Sequence, residues 1–280
     1  MNRTAGGLIG YWSKADNGST CYFFKPSAVV LEVAYQIATP PLGAVGSYDF
    51  TEEQLDAFVA AGLGVEGNPD DLTKVKDLSD LIVEVKKLDI IPYKDGIYRI
   101  QNVLRKQMIG YDGTDRVRTD IGKTDVSQLW EIKTIEDSVV IRNLNADAYM
   151  KAPYGGNALV PEAEAAKFKL YDLGFAQYNL KKGSDNLVIY GEGSLGGWSP
   201  NPLNSDGAWY IIPATDIEVV VDEAGYATTY LPFAVTLPEG VKAYAVDAVD
   251  GDVAKLAEKA DIPANTGAII AGEDTLTLDI

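Results

Sequence analysis

The chain has 280 residues, enough for two or three cores of ordinary size, and at 46% hydrophobic it reads as globular. Against 24 Lys and Arg stand 41 Asp and Glu, a net charge of −17 that repels nucleic acid and anionic lipid. With no histidine and a single cysteine, Cys21, the chain excludes Ser-His-Asp and Cys-His nucleophilic sites, His- or Cys-based zinc sites and an internal disulfide. No apolar run reaches membrane-spanning length, and the opening MNRTAGGLIG has neither the apolar core nor the cleavage pattern of an export signal.

In chain order, GLIGYWSKADNGSTCYFFKP from Gly7 to Pro26 comes back near Gly193 to Pro213 as GSLGGWSPNPLNSDGAWYIIP. Trp12 matches Trp198, Tyr22 to Phe24 match Trp209 to Ile211, and a β-branched run follows each copy, Val29 to Val33 and Ile217 to Val221. Because the second copy closes a longer unit, residues 1–36 are expected to be the C-terminal remnant of a preceding β-module. Residues 37–91 then read as a linker and a two-helix connector. Gln36 to Ser47 is rich in Pro, Gly and small residues, as a linker is. Thr51 and Gln54 form a capping-box pattern ahead of Leu55, Phe58, Val59 and Leu63, which predicts a helix over Glu52–Ala61. Asn68 as N-cap and Pro69 at the first helical position open a second helix, with Leu72, Val75, Leu78, Ile82 and Val85 on its buried face and an end near Lys87.

From Pro92 to Ala214 three degenerate lobes of some forty residues follow one another. Their opening strands, Tyr98–Val103, Val139–Leu144 and Tyr178–Gly183, start 41 and then 39 residues apart. The closing strands carry Trp130 and Ile132, Phe168 and Leu170, and Trp209 and Ile211, spaced by 38 and 41. Tyr111 and Tyr190 each stand 19 residues before a closing Trp. Four short strands per lobe predict a closed, mainly β barrel with pseudo-threefold symmetry, which hides its sheet edges.

Gln128-Leu129-Trp130 is the Q-x-W signature, and through it the region resembles ricin-type β-trefoil lectins. The resemblance implies a trefoil over 92–221, with Trp130 filling the barrel core and Gln128 tying a turn. It also implies sugar binding, but the Asp that this family carries just after the first strand of a lobe is missing from Met108-Ile109-Gly110. Asp112 comes two residues later and substitutes only in a differently shaped hairpin. Residues 222–280, with Tyr230-Leu231-Pro232-Phe233, Val241 to Ala245 and Ile262 to Ile270, resemble a small β domain of secreted and surface proteins of gut Bacteroidetes. Pro238-Glu239-Gly240 and Asp250-Gly251-Asp252 independently argue hairpins there, and the final TLTLDI strand is expected to mark a truncation.

Sugars are held by an aromatic platform under the ring, with carboxylates and amides bonding the hydroxyls. Tyr111, Asp112, Tyr154, Asn157, Tyr190, Trp198 and Asn201 qualify as sugar-binding candidates, because they fall in Gly- or Pro-rich turns. The alternative is that the tyrosines fill hairpin corners and Trp198 packs under the barrel. Gly191-x-Gly193-x-x-Gly196 has dinucleotide-binding spacing, but Pro200 and Pro202 follow where a helix must begin. Asp247, Asp250 and Asp252, or Asp112 with Asp115, lack the spacing and terminal Glu of a calcium loop. The expectation is a non-catalytic, lectin-like segment of a secreted or cell-surface bacterial protein, with no cofactor or metal, a glycan as partner, and neither nucleic acid nor membrane insertion. Alternatives are a structural spacer beside an enzyme or adhesin domain, and a trefoil that binds a protein.

Overall fold

The computed structural model describes residues 2–3, 9–10, 25–113, 117–120, 126–151, 158–190, 194–198 and 205–280. The chain divides into two units, one of Met1–Thr39 with Phe50–Asp89, the other of Pro40–Asp49 with Ile90–Ile280.

In the first unit β1 (Asn2–Arg3) pairs antiparallel with β2 (Ile9–Gly10), and three helices follow. Helix α1 spans Pro26–Ala38, so the β-branched run at 29–33, expected to follow a β-module, is helical. Pro26 supplies the first helical residue, and Ser27, Ala34 and Ile37 bury one stripe. Burial of that stripe outweighs the weak β preference of valine. Helix α2 (Glu52–Gly67) starts on the expected capping box, with Thr51 Oγ1 accepting from Gln54 N at 3.2 Å and Gln54 Oε1 from Thr51 N at 2.9 Å. It runs past Ala61 because Phe58, Gly62 and Val65 continue the buried stripe, which leaves Val59 and Leu63 exposed. Asn68 ends α2 instead of opening the next helix, and Asp71 caps α3 (Leu72–Val85), its Oδ1 accepting from Thr73 N and Lys74 N. Val75, Leu78, Ile82 and Val85 are buried as the spacing predicts, but Leu72 is 70% exposed.

The second unit holds the three lobes. The first comprises β3 (Gly96–Asn102), β4 (Met108–Tyr111), β5 (Val117–Asp120) and β6 (Trp130–Ile135). The second comprises β7 (Ser138–Asn143), β8 (Ala148–Met150), β9 (Leu159–Val160) and β10 (Lys169–Gly174). The third comprises β11 (Gln177–Lys182), β12 (Asp185–Tyr190), β13 (Ser194–Trp198) and β14 (Trp209–Pro213). Pairing runs from β14 to β3, β6 and β7, crosses by the Val139–Phe168 bridge to the chain entering β10, and returns through β11 to β14. The ring of six strands closes on itself, and β4–β5, β8–β9 and β12–β13 form three hairpins beside it. This is the β-trefoil architecture.

Trp130, Phe168 and Trp209 are fully buried in one cluster with Ile100, Ile132, Ile141, Leu180 and Ile211. Two buried asparagines tie successive lobes. Asn102 Nδ2 donates to Asp206 O and Ala208 O at 3.1 and 3.2 Å, and Asn143 Nδ2 to Ser127 O at 2.7 Å. The Oδ1 atoms accept from Arg105 N and Ala146 N, each at 2.9 Å. Each side chain thus joins the turn after an opening strand to the backbone just before the closing strand of the preceding lobe.

The supposed linker is part of this unit from Pro40 on. Ala44 and Val45 are buried, Val45 N donates to Ile211 O at 2.9 Å, and Gly46 N donates to Ile91 O at 2.8 Å. Gly46 has φ +82°, and a Cβ there would lie 2.6 Å from Tyr178 Oη, so the close approach needs glycine.

The last segment forms two four-stranded sheets. One is ordered β15 (Asp216–Val220), β22 (Thr275–Asp279), β17 (Val235–Thr236), β20 (Asp261–Ile262). The other is ordered β16 (Tyr226–Leu231), β21 (Thr266–Ala271), β18 (Lys242–Asp250), β19 (Val253–Lys259). Since β15 pairs along its length with β22, this domain starts near Ala214, ahead of the 221/222 division that the sequence implies. Ile217, Leu231, Phe233, Ile262, Ile270 and Leu278 share a core with Leu129, Leu144 and Ala214. Arg99, 5% exposed on β3, donates through Nη2 to Asp216 O at 2.7 Å. Trefoil and sandwich are therefore fastened by apolar burial and by a buried guanidinium.

Candidate functional site

Trp130 acts as the Q-x-W resemblance implies: its ring is buried and Nε1 donates to Ile109 O at 3.0 Å, which fixes the β4–β5 hairpin over the barrel. Trp209 does the same in the third lobe, donating to Leu187 O at 2.9 Å. Phe168 fills the corresponding place in the second lobe without a donor. Gln128 departs from expectation. It is fully buried, yet among the described residues neither amide atom meets a hydrogen-bond partner. The turn Val126–Gln128 is held instead by Asn143, whose amide reaches the Ser127 carbonyl across the lobe boundary.

Of the seven sugar-binding candidates, Tyr111 and Asp112 are described with their side chains. They sit side by side at the end of β4, two and three residues beyond the carbonyl that Trp130 holds. Tyr111 is half-buried against the barrel core and Asp112 is exposed. Tyr190 and Trp198 lie on β12 and β13, opposite Ser194 and Asn186 respectively, with side chains outside the described residues. Tyr154, Asn157 and Asn201 lie outside the described residues altogether, as does Asp115. All seven therefore remain sequence expectations, and the closeness of Tyr111 to Asp112 follows from their adjacency in the chain.

The missing carboxylate extends to every lobe. Immediately after the buried Ile109, Met150 and Leu187 come Gly110, Lys151 and Val188, so none of the three lobes offers an acid there. Among the described residues no three His, Cys, Asp or Glu side chains gather as a metal site. Gly196 lies in strand β13, so no helix starts where a dinucleotide fingerprint needs one. No described helix is long and apolar enough to cross a membrane.

A polar cluster that periodicity does not reveal lies on the outer face of β6, β7 and β8, where Glu131, Arg142 and Tyr149 stand opposite one another in register. Arg142 donates to Glu131 Oε2 at 3.2 Å and to Asp147 Oδ1 at 2.8 and 2.6 Å, while Lys133 pairs with Glu131 at 2.8 Å. Partial burial raises the Tyr149 phenol above its ordinary pKa, so it stays a neutral hydroxyl beside these charges. Only pairing across three strands assembles this group, which is why sequence spacing misses it. Near the start of the trefoil Tyr93 donates to Ile132 O and Asp95 Oδ1, each at 3.2 Å, and burial pushes its pKa up to about 12.

No protein-family model matches the chain, and no curated protein matches it in sequence. Among solved structures it is similar to the Macrolepiota procera ricin B-like lectin in complex with lactose, at 16% identity and a TM-score of 0.39, over 44% of this chain and 99% of that one. It is similar to the Rhizoctonia solani agglutinin at 15% identity and a TM-score of 0.37, over 45% of this chain and 100% of that one. It is also similar to a GlcNAcα1-4Gal-releasing endo-β-galactosidase from Clostridium perfringens, at 18% identity and a TM-score of 0.37, over 44% of this chain and 34% of that one.

Proposed function

We propose that this chain is a carbohydrate-binding, non-catalytic segment of a secreted or cell-surface bacterial multidomain protein, of the kind found in gut Bacteroidetes. The observation that carries the proposal is the hairpin β4–β5 with its Q-x-W support: the Trp130 indole holds the Ile109 carbonyl, and Tyr111 with Asp112 follows at the strand end. Tyr111 is half-buried against the barrel core, so the uncovered part of its ring would take the apolar side of a pyranose while the exposed Asp112 bonds hydroxyls. Lack of histidine, and of a gathered metal-ligand set among the described residues, favours binding over chemistry, and the acidic net charge disfavours an anionic partner. Secretion and the bacterial setting are supported by the resemblance of the last sixty or so residues alone.

A glycan-array screen tests the proposal, run on the full chain and on Tyr111→Ala and Asp112→Ala with thermal stability as control. Selective binding that either folded variant loses supports a lectin-like trefoil. Silence across mucin, plant and microbial glycans sinks it.

One observation favours a second reading, that of a structural spacer. Gly110, Lys151 and Val188 stand where a lobe would carry its acid, and the trefoil shares a core with the sandwich through Leu129, Leu144 and Ala214. A spacer predicts no glycan binding at any lobe.

A further inference from the structure

The sheet β16–β21–β18–β19 has two faces. Leu231, Ala243, Ala245, Ala268 and Ile270 point into the core, so the residues between them point outward. Register places these outward residues in rows. Thr228, Ile269, Tyr244 and Glu258 stand opposite one another across all four strands. Tyr226 faces Ala271 and Lys242 on one side of that row, and Tyr230 faces Gly267 on the other. The outward face thus carries Tyr226, Tyr230 and Tyr244 around Ile269. Tyr226 is 50% and Tyr230 61% exposed, whereas tyrosine usually hides its ring.

The backbone at Tyr226 and the ring of Tyr230 are held in place. Tyr226 N and Ala224 N donate to Asp222 Oδ1 at 3.0 and 2.9 Å, which fixes the entry into β16, and Tyr230 Oη donates to Asn265 Oδ1 at 3.3 Å. Two steps of the strand repeat separate them by about 14 Å, at a rise of about 3.4 Å per residue. Along the unpaired edge of β16 runs a groove of about 500 Å³, where Thr228 and Thr229 bring hydroxyls and Glu218 a carboxylate.

We propose that this face binds a neutral polysaccharide chain, with Tyr226 and Tyr230 as stacking platforms and the groove beside β16 receiving hydroxyl groups. The site lies outside the trefoil and does not depend on sugar binding there. Charge decides between occupants: in a chain of net charge −17 the face keeps its charges at the rim, where Lys242 and Glu258 pair at 3.5 Å. An uncharged ligand matches such a surface, and an anionic one does not. Size argues against a second copy of the chain, since strands of 6, 6, 9 and 7 residues set about 4.8 Å apart cover roughly 450 Å². A stable protein interface takes about 800 Å² from each partner.

The test is affinity electrophoresis of the full chain in native gels containing galactomannan, mixed-linkage β-glucan or arabinogalactan, with polygalacturonate as the anionic counterpart. The double variant Tyr226→Thr/Tyr230→Thr keeps strand propensity, and Tyr111→Ala serves as the trefoil control. Retardation by a neutral polysaccharide, absent with polygalacturonate and weakened about tenfold or more in the double variant but not in Tyr111→Ala, is the expected result. Equal retardation of the double variant and wild type overturns the proposal. Loss in Tyr111→Ala alone also overturns it and leaves the trefoil as the binder. No retardation in any of the neutral gels overturns it as well. So does a concentration-dependent dimer that the double variant abolishes, because the face would then belong to a second copy.

Discussion

In the trefoil the aromatic rings of the closing strands turn inward, and on the outer sheet of the sandwich Tyr226 and Tyr230 turn outward. Trp130, Phe168 and Trp209 are fully buried, and two of them add an indole hydrogen bond to a backbone carbonyl. Tyr226 and Tyr230 instead cover a sheet face that has no partner among the described residues, while Ala243, Ala245 and Ala268 serve the core on the other side. A closed barrel needs bulk at its axis, so the closing-strand aromatics are structural. The sheet β16–β21–β18–β19, whose inner face is packed by Leu231, Ala243, Ala245, Ala268 and Ile270, has no such need, and Tyr226 and Tyr230 stay at its surface. An aromatic residue in a repeat motif is therefore weaker evidence for a ligand than one on the solvent side of an already packed sheet.

The contrast breaks most sharply at Trp130. Trp130→Ala should cost about 3 to 5 kcal/mol, the range for truncating a core aromatic, read from urea unfolding of the full chain. An unfolding midpoint equal to wild type would show that the ring is not a core residue. Trp130→Phe imitates Phe168 and keeps the bulk but orphans the Ile109 carbonyl, so about 1 to 3 kcal/mol is expected. Asn143→Ala removes the tie between lobes at Ser127 and Ala146 and should cost a similar 1 to 3 kcal/mol, about. An unfolding curve identical to wild type would place that tie outside the cooperative core.

On the sandwich, Tyr226→Thr/Tyr230→Thr should change stability by only about 0.5 kcal/mol per residue or less, since both rings are solvent-facing. A loss as large as that of Trp130→Phe would make them structural and erase the contrast. The smallest effect concerns base. Burial raises the pKa of Tyr93 to about 12 from an ordinary 10.0. The unfolded chain then releases its proton first, so the associated stability is complete below pH 10.0 and declines as pH rises toward about 12. Tyr93→Phe should flatten that part of a melting-temperature profile. An unchanged slope between those pH values would assign the alkaline loss to Tyr98, Tyr178 and Tyr210, whose pKa values burial also raises.

Much of the trefoil was legible in the chain because its repeats carry physical necessities. Opening and closing strands recur at nearly constant spacing, since each lobe spans the same barrel, and the aromatic-x-aliphatic pairs recur because the barrel axis must be filled. The helix capping at Thr51 was legible for a similar reason: side chain and backbone partners lie three residues apart. Where partners are distant, reading failed. Val29 to Val33 favours strands locally but is helical, and the Pro- and Gly-rich run up to Ser47 is partly buried in the second unit, because burial outweighs local preference. Leu72 matched a helical stripe that the fold does not bury there.

The candidate site divides along the same line. Tyr111 and Asp112 are neighbours in sequence and need no fold to bring them together, whereas the group of Glu131, Arg142 and Tyr149 exists only through register. The role assigned to Gln128 falls to Asn143, fifteen residues on, which sequence alone does not pair with that turn. By itself the amino-acid sequence determined the three-lobed β character and the exclusion of histidine-based chemistry, because each depends on composition or on a repeated local period, while the inward Trp130 came through the Q-x-W resemblance. Only the tertiary structure decided which tyrosines face solvent and which polar groups meet, because those are properties of strands brought together from far along the chain.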